Sequence, residues 1–413
     1  MKTEEIKPYD QPIHQIHKVH EANRMMRLPI YLFTIIDEMK KKAKKEGKDV
    51  IDLSMGNPDM PTAKHIVEEL CKQVRKPENH RYSRPTDAVE SDLKKAIATW
   101  YKKRFKVELN PANEVLPLIG SKEGIAHLSL AFLNNDDIAL VPSPAYPVHF
   151  NGVIMAGGIL YNIPLLSENN FLPNLSTIPN EILKMSKLLF LSYPNNPTGA
   201  CADIDFFKKT VEWAKSKNII IVHDLTYSDI IFDNNYHAPS VFEVNGAKDI
   251  CIEFHTCSKS YNMAGWRIGF AVGNSYILEK LAKTKSYIDF GIFKPIQYAA
   301  IKALTGSQLC VKKTVQTYKE RMETLVNGLN KIGWKVPKPK ATFYVWAKIP
   351  MKFSALTSIE FATLLLEEAG IVVSPGAGFG EYGEGYIRFA LIEDTERLKE
   401  AVMRIKKVLE MEA

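Results

Sequence analysis

The chain has 413 residues and a formal charge of +7, from 54 lysines and arginines against 47 aspartates and glutamates. Hydrophobic residues at 46% and charged residues at 24% are ordinary proportions, which exclude a disordered or fibrous chain and allow two domains around a large shared core. The basic residues are spread through helical stretches, so no nucleic-acid footprint is expected and a small anionic ligand suits the charge better.

Five cysteines, Cys71, Cys201, Cys251, Cys257 and Cys310, form an odd set without a C-x-x-C pair, so neither a disulfide framework nor a zinc site is expected. With no basic leader before an apolar run and no apolar stretch of membrane length, the expected compartment is the cytoplasm.

In chain order, His14, His17 and His20 come first. Their three-residue spacing allows a metal-binding face, but an exposed helical arm is the better reading because no carboxylate or cysteine matches the spacing. Residues 35–45 are amphipathic and are expected to pack beside a small C-terminal domain. Apolar runs at 115–119, 138–141, 188–191, 219–222, 250–254 and 268–272 then alternate with amphipathic stretches such as 124–133 and 206–217. Nearly continuous apolar runs of this kind predict βαβ units and a parallel sheet covered on both faces. Beyond Pro295 a long helical region reaches Leu329, and 342–349, 358–369, 386–392 and 396–409 read strand, helix, strand, helix. The expected division is 1–60 as N-terminal arm and part of the small domain, 61–295 as the large domain, and 296–413 as connecting helix and small domain.

In open α/β sheets ligands sit beyond the carboxyl ends of the strands. After the first run, Gly120-Ser121-Lys122-Glu123-Gly124 opens a helix whose free N–H groups favour an anion, although it reads equally as a capped glycine turn. Tyr146, in a proline-stiffened loop, offers a ring for stacking or for packing. The turn Ser192-Tyr193-Pro194-Asn195-Asn196-Pro197-Thr198-Gly199 holds amides at the sheet edge. Asp224 ends an apolar strand and needs a cationic partner, such as a protonated pyridine nitrogen, with Tyr227 placed to donate nearby. Thr256, Ser258 and Lys259 follow the next strand, with Arg267 eight residues beyond the lysine, supplying an amine nucleophile and a phosphate partner. Arg388 lies inside an apolar strand, where its fork suits a substrate carboxylate or a structural acid.

Together these segments resemble the class I, fold type I pyridoxal 5'-phosphate (PLP) aminotransferases over nearly the whole chain. Within that family the strings Asp52 to Asp59, Gly120 to Gly124, Ser258 to Gly269 and Arg388 to Ile392 are most similar to bacterial glutamate-pyruvate (alanine) aminotransferases, with LL-diaminopimelate aminotransferases next. The resemblance implies an α/β fold with a large domain, whose mostly parallel seven-stranded sheet is covered by helices, and a smaller α/β domain. It implies a homodimer with shared active sites, taking an amino acid and a 2-oxo acid, with no metal, nucleic acid or membrane partner. Lys259 would carry the cofactor covalently, Asp224 would pair with its ring nitrogen, and Tyr227 and Asn196 would bind its ring oxygen. Tyr146 would stack on the ring, and Ser121, Lys122, Thr256, Ser258 and Arg267 would surround the phosphate. Arg388 would bind the substrate carboxylate, with Gly56 and Asn196 lending donors. Tyr82 would reach the phosphate in the partner subunit.

Two positions depart from the family pattern: Asp87 stands where a glycine is expected after Tyr82, and Lys294 stands where a small hydroxyl residue is expected. The expected reaction is L-alanine with 2-oxoglutarate giving pyruvate and L-glutamate. LL-diaminopimelate or aspartate transamination, a PLP-dependent β-lyase and a non-enzymatic PLP-binding regulator are the alternatives. Gly378-Phe379-Gly380-Glu381-Tyr382-Gly383 fits G-x-G-x-x-G, but a strand rather than a helix is expected after it, so it reads as a flexible loop.

Overall fold

The computed structural model describes residues 20–29 and 32–411, so His14 and His17, and with them the expected histidine face, lie outside the described residues. A short strand, β1 (Ile51–Asp52), precedes β2 (Val115–Leu118), β3 (Ile138–Ser143), β4 (Ile159–Pro164), β5 (Ser186–Leu191), β6 (Ile220–Asp224), β7 (Cys251–Thr256) and β8 (Gly269–Gly273). The seven strands β2 to β8 build one sheet in the order β2-β8-β7-β6-β5-β3-β4.

Five of its strands, β3 to β7, run parallel, whereas β8 is antiparallel to both neighbours, β7 and β2. The expectation of a mostly parallel sheet therefore holds, with one strand reversed. The sequence reading missed β4, an edge strand whose half-exposed residues break the continuous apolar pattern.

Side chains alternate across the strands. In β5, Leu189 and Leu191 join a core with Tyr101, Phe207 and Val211, while Leu188 and Phe190 face Ile125, Leu128 and Leu281 on the other side. Both faces are thus covered by helices, which explains why the central strands read as unbroken apolar runs.

Past the large sheet come β9 (Tyr344–Lys348), β10 (Ile371–Val372), β11 (Ser374–Pro375) and β12 (Tyr386–Ala390). Strands β11, β12 and β9 form an antiparallel sheet, and β1 pairs in parallel with β10, tying the early segment to the C-terminal one. A separate core of Phe343, Val345, Phe361, Leu365, Phe389 and Ile405 packs here. The helix Leu32–Lys45 buries Ile36 and Ala43 against Trp346, Leu366 and Phe379.

Local chemistry sets the helix limits. Asp203 caps Ile204–Lys217 by accepting from Phe206 N, and Thr357 and Glu360 form a capping box on Ser358–Ala369, which ends at left-handed Gly370. The helix expected at 124–133 runs Ser121–Phe132, and the long region beyond Pro295 is two helices, Lys294–Thr305 and Leu309–Lys331, separated at Gly306. The 378–383 segment is not a loose loop. It forms two 3-10 turns, and Phe379 is fully buried with its ring centroid 4.5 Å from the Arg388 guanidinium carbon.

Beneath the sheet edge, Glu253 of β7 is fully buried, 2.9 Å from His223 Nδ1 and 2.8 Å from His255 Nε2, and accepts from the Tyr101 hydroxyl at 2.6 Å. Burial alone would raise its carboxyl pKa, but the hydrogen bonds from His223 and His255 outweigh it and hold the group below the usual glutamate range. We expect Glu253→Ala to destabilise the fold by about 3 kcal/mol, because two buried imidazoles lose their shared acceptor. Urea unfolding of the holoenzyme checks this; an unchanged midpoint would show that the network contributes little.

Candidate active site

Because β8 runs against its neighbours, its amino end lies at the same sheet edge as the carboxyl ends of β2, β5, β6 and β7. Arg267, which precedes β8, therefore arrives where Ser121, Asn196, Asp224 and Lys259 leave their strands. All five line one cleft, joined by Lys122, Tyr146, Thr226, Tyr227, Thr256 and Ser258. Gly56, Tyr344 and Arg388 line it from the second sheet and the segment after β1.

Asp224 is the last residue of β6, buried behind Ile221 and Val222. His149 Nε2 lies 3.1 Å from its Oδ2, and Oδ1 is buried without a hydrogen-bond partner among the described residues. A carboxylate oxygen so placed loses its solvation without compensation until a ligand donor meets it. A protonated ring nitrogen is such a donor.

Lys259 lies in a short helix, Cys257–Ser260, that Thr256 caps by accepting from Ser258 N. Its Nζ donates to Gly56 O at 2.9 Å and lies 5.3 Å from the centroid of the Phe343 ring. Burial, with help from the Arg388 and Arg267 charges, pushes its pKa down to about 8. The amine is thus held close to the neutral, nucleophilic form.

On one side of the cleft the helix Ser121–Phe132 begins at Gly120, whose φ of 81° no side chain caps. A Cβ at Gly120 would lie 2.6 Å from Arg267 Nη2, and one at Gly269 would lie 2.9 Å from Ser121 N. Glycine at both positions therefore keeps the helix start open, and Thr256 and Ser258, whose hydroxyls are 2.9 Å apart, line the same cleft. Burial, then the charge of Arg267, lowers the Lys122 pKa. Two cations and an open helix start make a seat for a phosphate.

Arg388 is fully buried. It donates to Asn196 Oδ1 at 2.7 Å, Ser54 O at 2.8 Å and Ser374 Oγ at 3.3 Å. Its guanidinium carbon lies 4.1 Å from the Tyr344 ring centroid and is flanked on another side by Phe379, so the fork is pre-oriented by neutral and aromatic contacts. The Tyr227 hydroxyl donates to Tyr344 Oη at 3.1 Å, and burial, reinforced by Tyr344, keeps it protonated well above its ordinary range. Tyr146 sits edge-on to His149, with Lys122 Nζ 5.8 Å from its ring centroid.

Tyr82, expected at the partner subunit's phosphate, lies outside this cleft. Tyr82 is 80% exposed and packs edge-on against Phe290 at 5.4 Å. The two departures, Asp87 and Lys294, turn out to be partners, bridged at 2.8 Å.

Sequence reasoning missed His149 and Tyr344. His149 lies three residues after Tyr146, so a histidine one helical step from a ring-stacking candidate was a usable signal. Tyr344 was hidden in a strand of aromatic residues. Gly56 explains its packing, since a Cβ there would lie 1.9 Å from Tyr344 Oη.

Residues 48–405 match the family model for aminotransferase class I and II. The chain belongs to this aminotransferase family. It is a PLP-dependent transaminase of fold type I. Among curated aminotransferases, the LL-diaminopimelate aminotransferase of Moorella thermoacetica is 47% identical over 95% of this chain and 99% of its own length. The glutamate-pyruvate aminotransferase AlaC of Escherichia coli is 48% identical over 93% of this chain and 92% of its own. The solved structure of apo-BacF from Bacillus subtilis aligns with a TM-score of 0.90 at 39% identity, over 95% of this aminotransferase and 99% of BacF.

For Lys259, a folded pKa near 8 against an ordinary 10.5 predicts that amine modification of the cofactor-free aminotransferase rises with pH around 8. Arg388→Gln removes a nearby positive charge and should move that midpoint upward. Peptide mapping after trinitrobenzenesulfonate labelling across pH 6–11 reads both; a wild-type midpoint near 10.5 would contradict the burial argument.

Proposed function

We propose that this aminotransferase moves the amino group of L-alanine to 2-oxoglutarate, releasing pyruvate and L-glutamate. The observation that carries the reading is the buried, unpartnered Oδ1 of Asp224 in a cleft that also holds a lowered-pKa lysine and an arginine fork. When bound, PLP supplies a carbonyl carbon that captures amines and a conjugated ring that takes up electrons from the substrate Cα.

The residues divide the remaining tasks. Asp224 Oδ1 would pair with the ring nitrogen in its protonated form, and His149 fixes the orientation of the carboxylate through Oδ2. Tyr227, on giving up its bond to Tyr344, and Asn196 Nδ2 would donate to the ring oxygen, and Tyr146 would offer its ring for stacking. Ser121, Lys122, Thr256, Ser258 and Arg267 hold the phosphate at the helix start. Lys259 would hold the cofactor covalently, and its Nζ, kept near neutrality by burial, would carry the proton at the substrate Cα. Arg388 binds the substrate carboxylate, setting the Cα–H bond for removal in preference to loss of carbon dioxide.

Alanine as donor is supported by charge. Among the described residues lining the cleft, Asp224 is the single carboxylate, and the ring nitrogen claims it. A donor with a second ammonium group, as in LL-diaminopimelate, finds no acid for it in this lining, whereas a methyl side chain asks for none.

The cytoplasm fits five thiols that are all free. A homodimer fits the exposed apolar group of Tyr82, Tyr287, Ile288 and Phe290; in it, Tyr82 would reach the partner's phosphate seat.

Initial rates with L-alanine, L-aspartate, L-tyrosine and LL-diaminopimelate against 2-oxoglutarate test the donor; a tenfold preference for any other donor overturns it. Lys259→Ala should lose the yellow absorbance of the bound cofactor together with turnover, and absorbance kept through another lysine would remove Lys259 from its role. Tyr82→Phe should weaken cofactor retention without changing the elution volume of the dimer in gel filtration.

A further inference from the structure

A second cavity, of about 430 Å³, lies away from the cofactor cleft, within the size range of small-molecule sites. The starts of two helices, Lys64–Val74 and Leu309–Lys331, both line it, and neither is capped by the side chain of its N-cap residue, Ala63 or Gln308. Lys64 opens the first of these helices and Lys313 starts the second turn of the other; Lys64 also lies 3.7 Å from Glu68, and the Leu309 N–H makes a long 3.4 Å bond to Ser307 Oγ. Among the described residues lining the cavity there is no carboxylate. This end favours an anion.

Two further atoms ask for a ligand. His65 Nε2 and Asn262 Oδ1 are buried without hydrogen-bond partners among the described residues, and both residues line the cavity. Asn262 is held in place at its other atoms. Its Nδ2 donates to Thr314 Oγ1 at 3.0 Å, its carbonyl accepts from Thr62 Oγ1 at 2.7 Å, and its φ is +55°. Its remaining oxygen can only accept, so it needs a donor such as an ammonium group. Met60, Pro61 and Leu309 supply an apolar wall.

We propose that this cavity binds a free L-amino acid with an apolar side chain. The carboxylate lies at the paired helix starts near Lys64 and Lys313, the ammonium donates to Asn262 Oδ1, and the side chain rests on Met60 and Leu309. The site adjoins the chemistry through the backbone: Asn262 is three residues past Lys259, and Thr62 belongs to the segment whose Gly56 carbonyl accepts from Lys259. An occupant bonded to Asn262 thereby adds a contact to the segment that carries the catalytic amine and, through Thr62, to the one that accepts from it.

Calorimetric titration of borohydride-reduced holoenzyme with L-leucine, L-methionine, L-valine and inorganic phosphate tests the proposal. One event per chain is expected with at least one of the amino acids. Leu309→Trp, which fills the cavity, and Lys313→Glu, which reverses its charge, should each weaken it at least tenfold, and both replace exposed side chains. Arg388→Gln should leave it intact. No heat with any amino acid, binding of phosphate alone, or binding that survives Leu309→Trp and disappears in Arg388→Gln would each overturn the assignment, the last by placing the amino acid in the catalytic cleft.

Discussion

A carboxylate at the end of a buried strand is tolerable only if both oxygens find partners, and the architecture around Asp224 follows from meeting half of that demand. His149 meets Oδ2, while Oδ1 stays buried without a protein partner among the described residues. Burying a charge this way costs several kcal/mol when uncompensated, and under the proposed function a protonated ring nitrogen would offset that cost. The sheet geometry keeps that cost local. Parallel β5, β6 and β7 bring their carboxyl ends to one edge, and the reversed β8 adds Arg267 from its amino end.

The same economy of charge governs Lys259 and Arg388, which come from different sheets. Each disfavours the other's positive charge, and burial enlarges the effect. The protein accepts this because a neutral lysine is the useful one, and it steadies the arginine by other means: two aromatic faces, an amide oxygen, a carbonyl and a hydroxyl. Holding these cations together demands that the segment after β1 pair with the C-terminal region, which the β1–β10 ladder and the Ser54 carbonyl accomplish.

Much of this was legible in the sequence, because burial on both faces writes itself as continuous apolar runs and the residues beyond those runs carry chemistry. Asp224, Lys259 and Arg388 stood out as charged residues at or inside apolar strands. The direction of β8 did not, since a buried strand looks the same whichever way it runs. Two-residue strands such as β1, β10 and β11 are too short to show a period. Glu253 escaped notice because Glu253 and His255 alternate with apolar residues like a half-exposed strand, although both are buried. Asp87 and Lys294 read as two separate oddities because nothing in a single sequence reveals that distant charges meet.

That pairing also bears on selectivity. A lone lysine at position 294 would draw acidic side chains toward it, but the Asp87 carboxylate, held below its usual range chiefly by the hydrogen bond from Lys294, offsets the field locally. The same contact joins the segment carrying Tyr82 to the helix Lys294–Thr305, and Gln297 adds a 2.7 Å bond to Ser83 Oγ beside it. The departures therefore act on the position of a loop more than on the charge seen by substrate. Relatives of different named specificity each share nearly half of this sequence, and a loop held by one partly exposed ion pair is cheaper to reposition than a buried charge such as Asp224 or Arg388, whose displacement costs several kcal/mol.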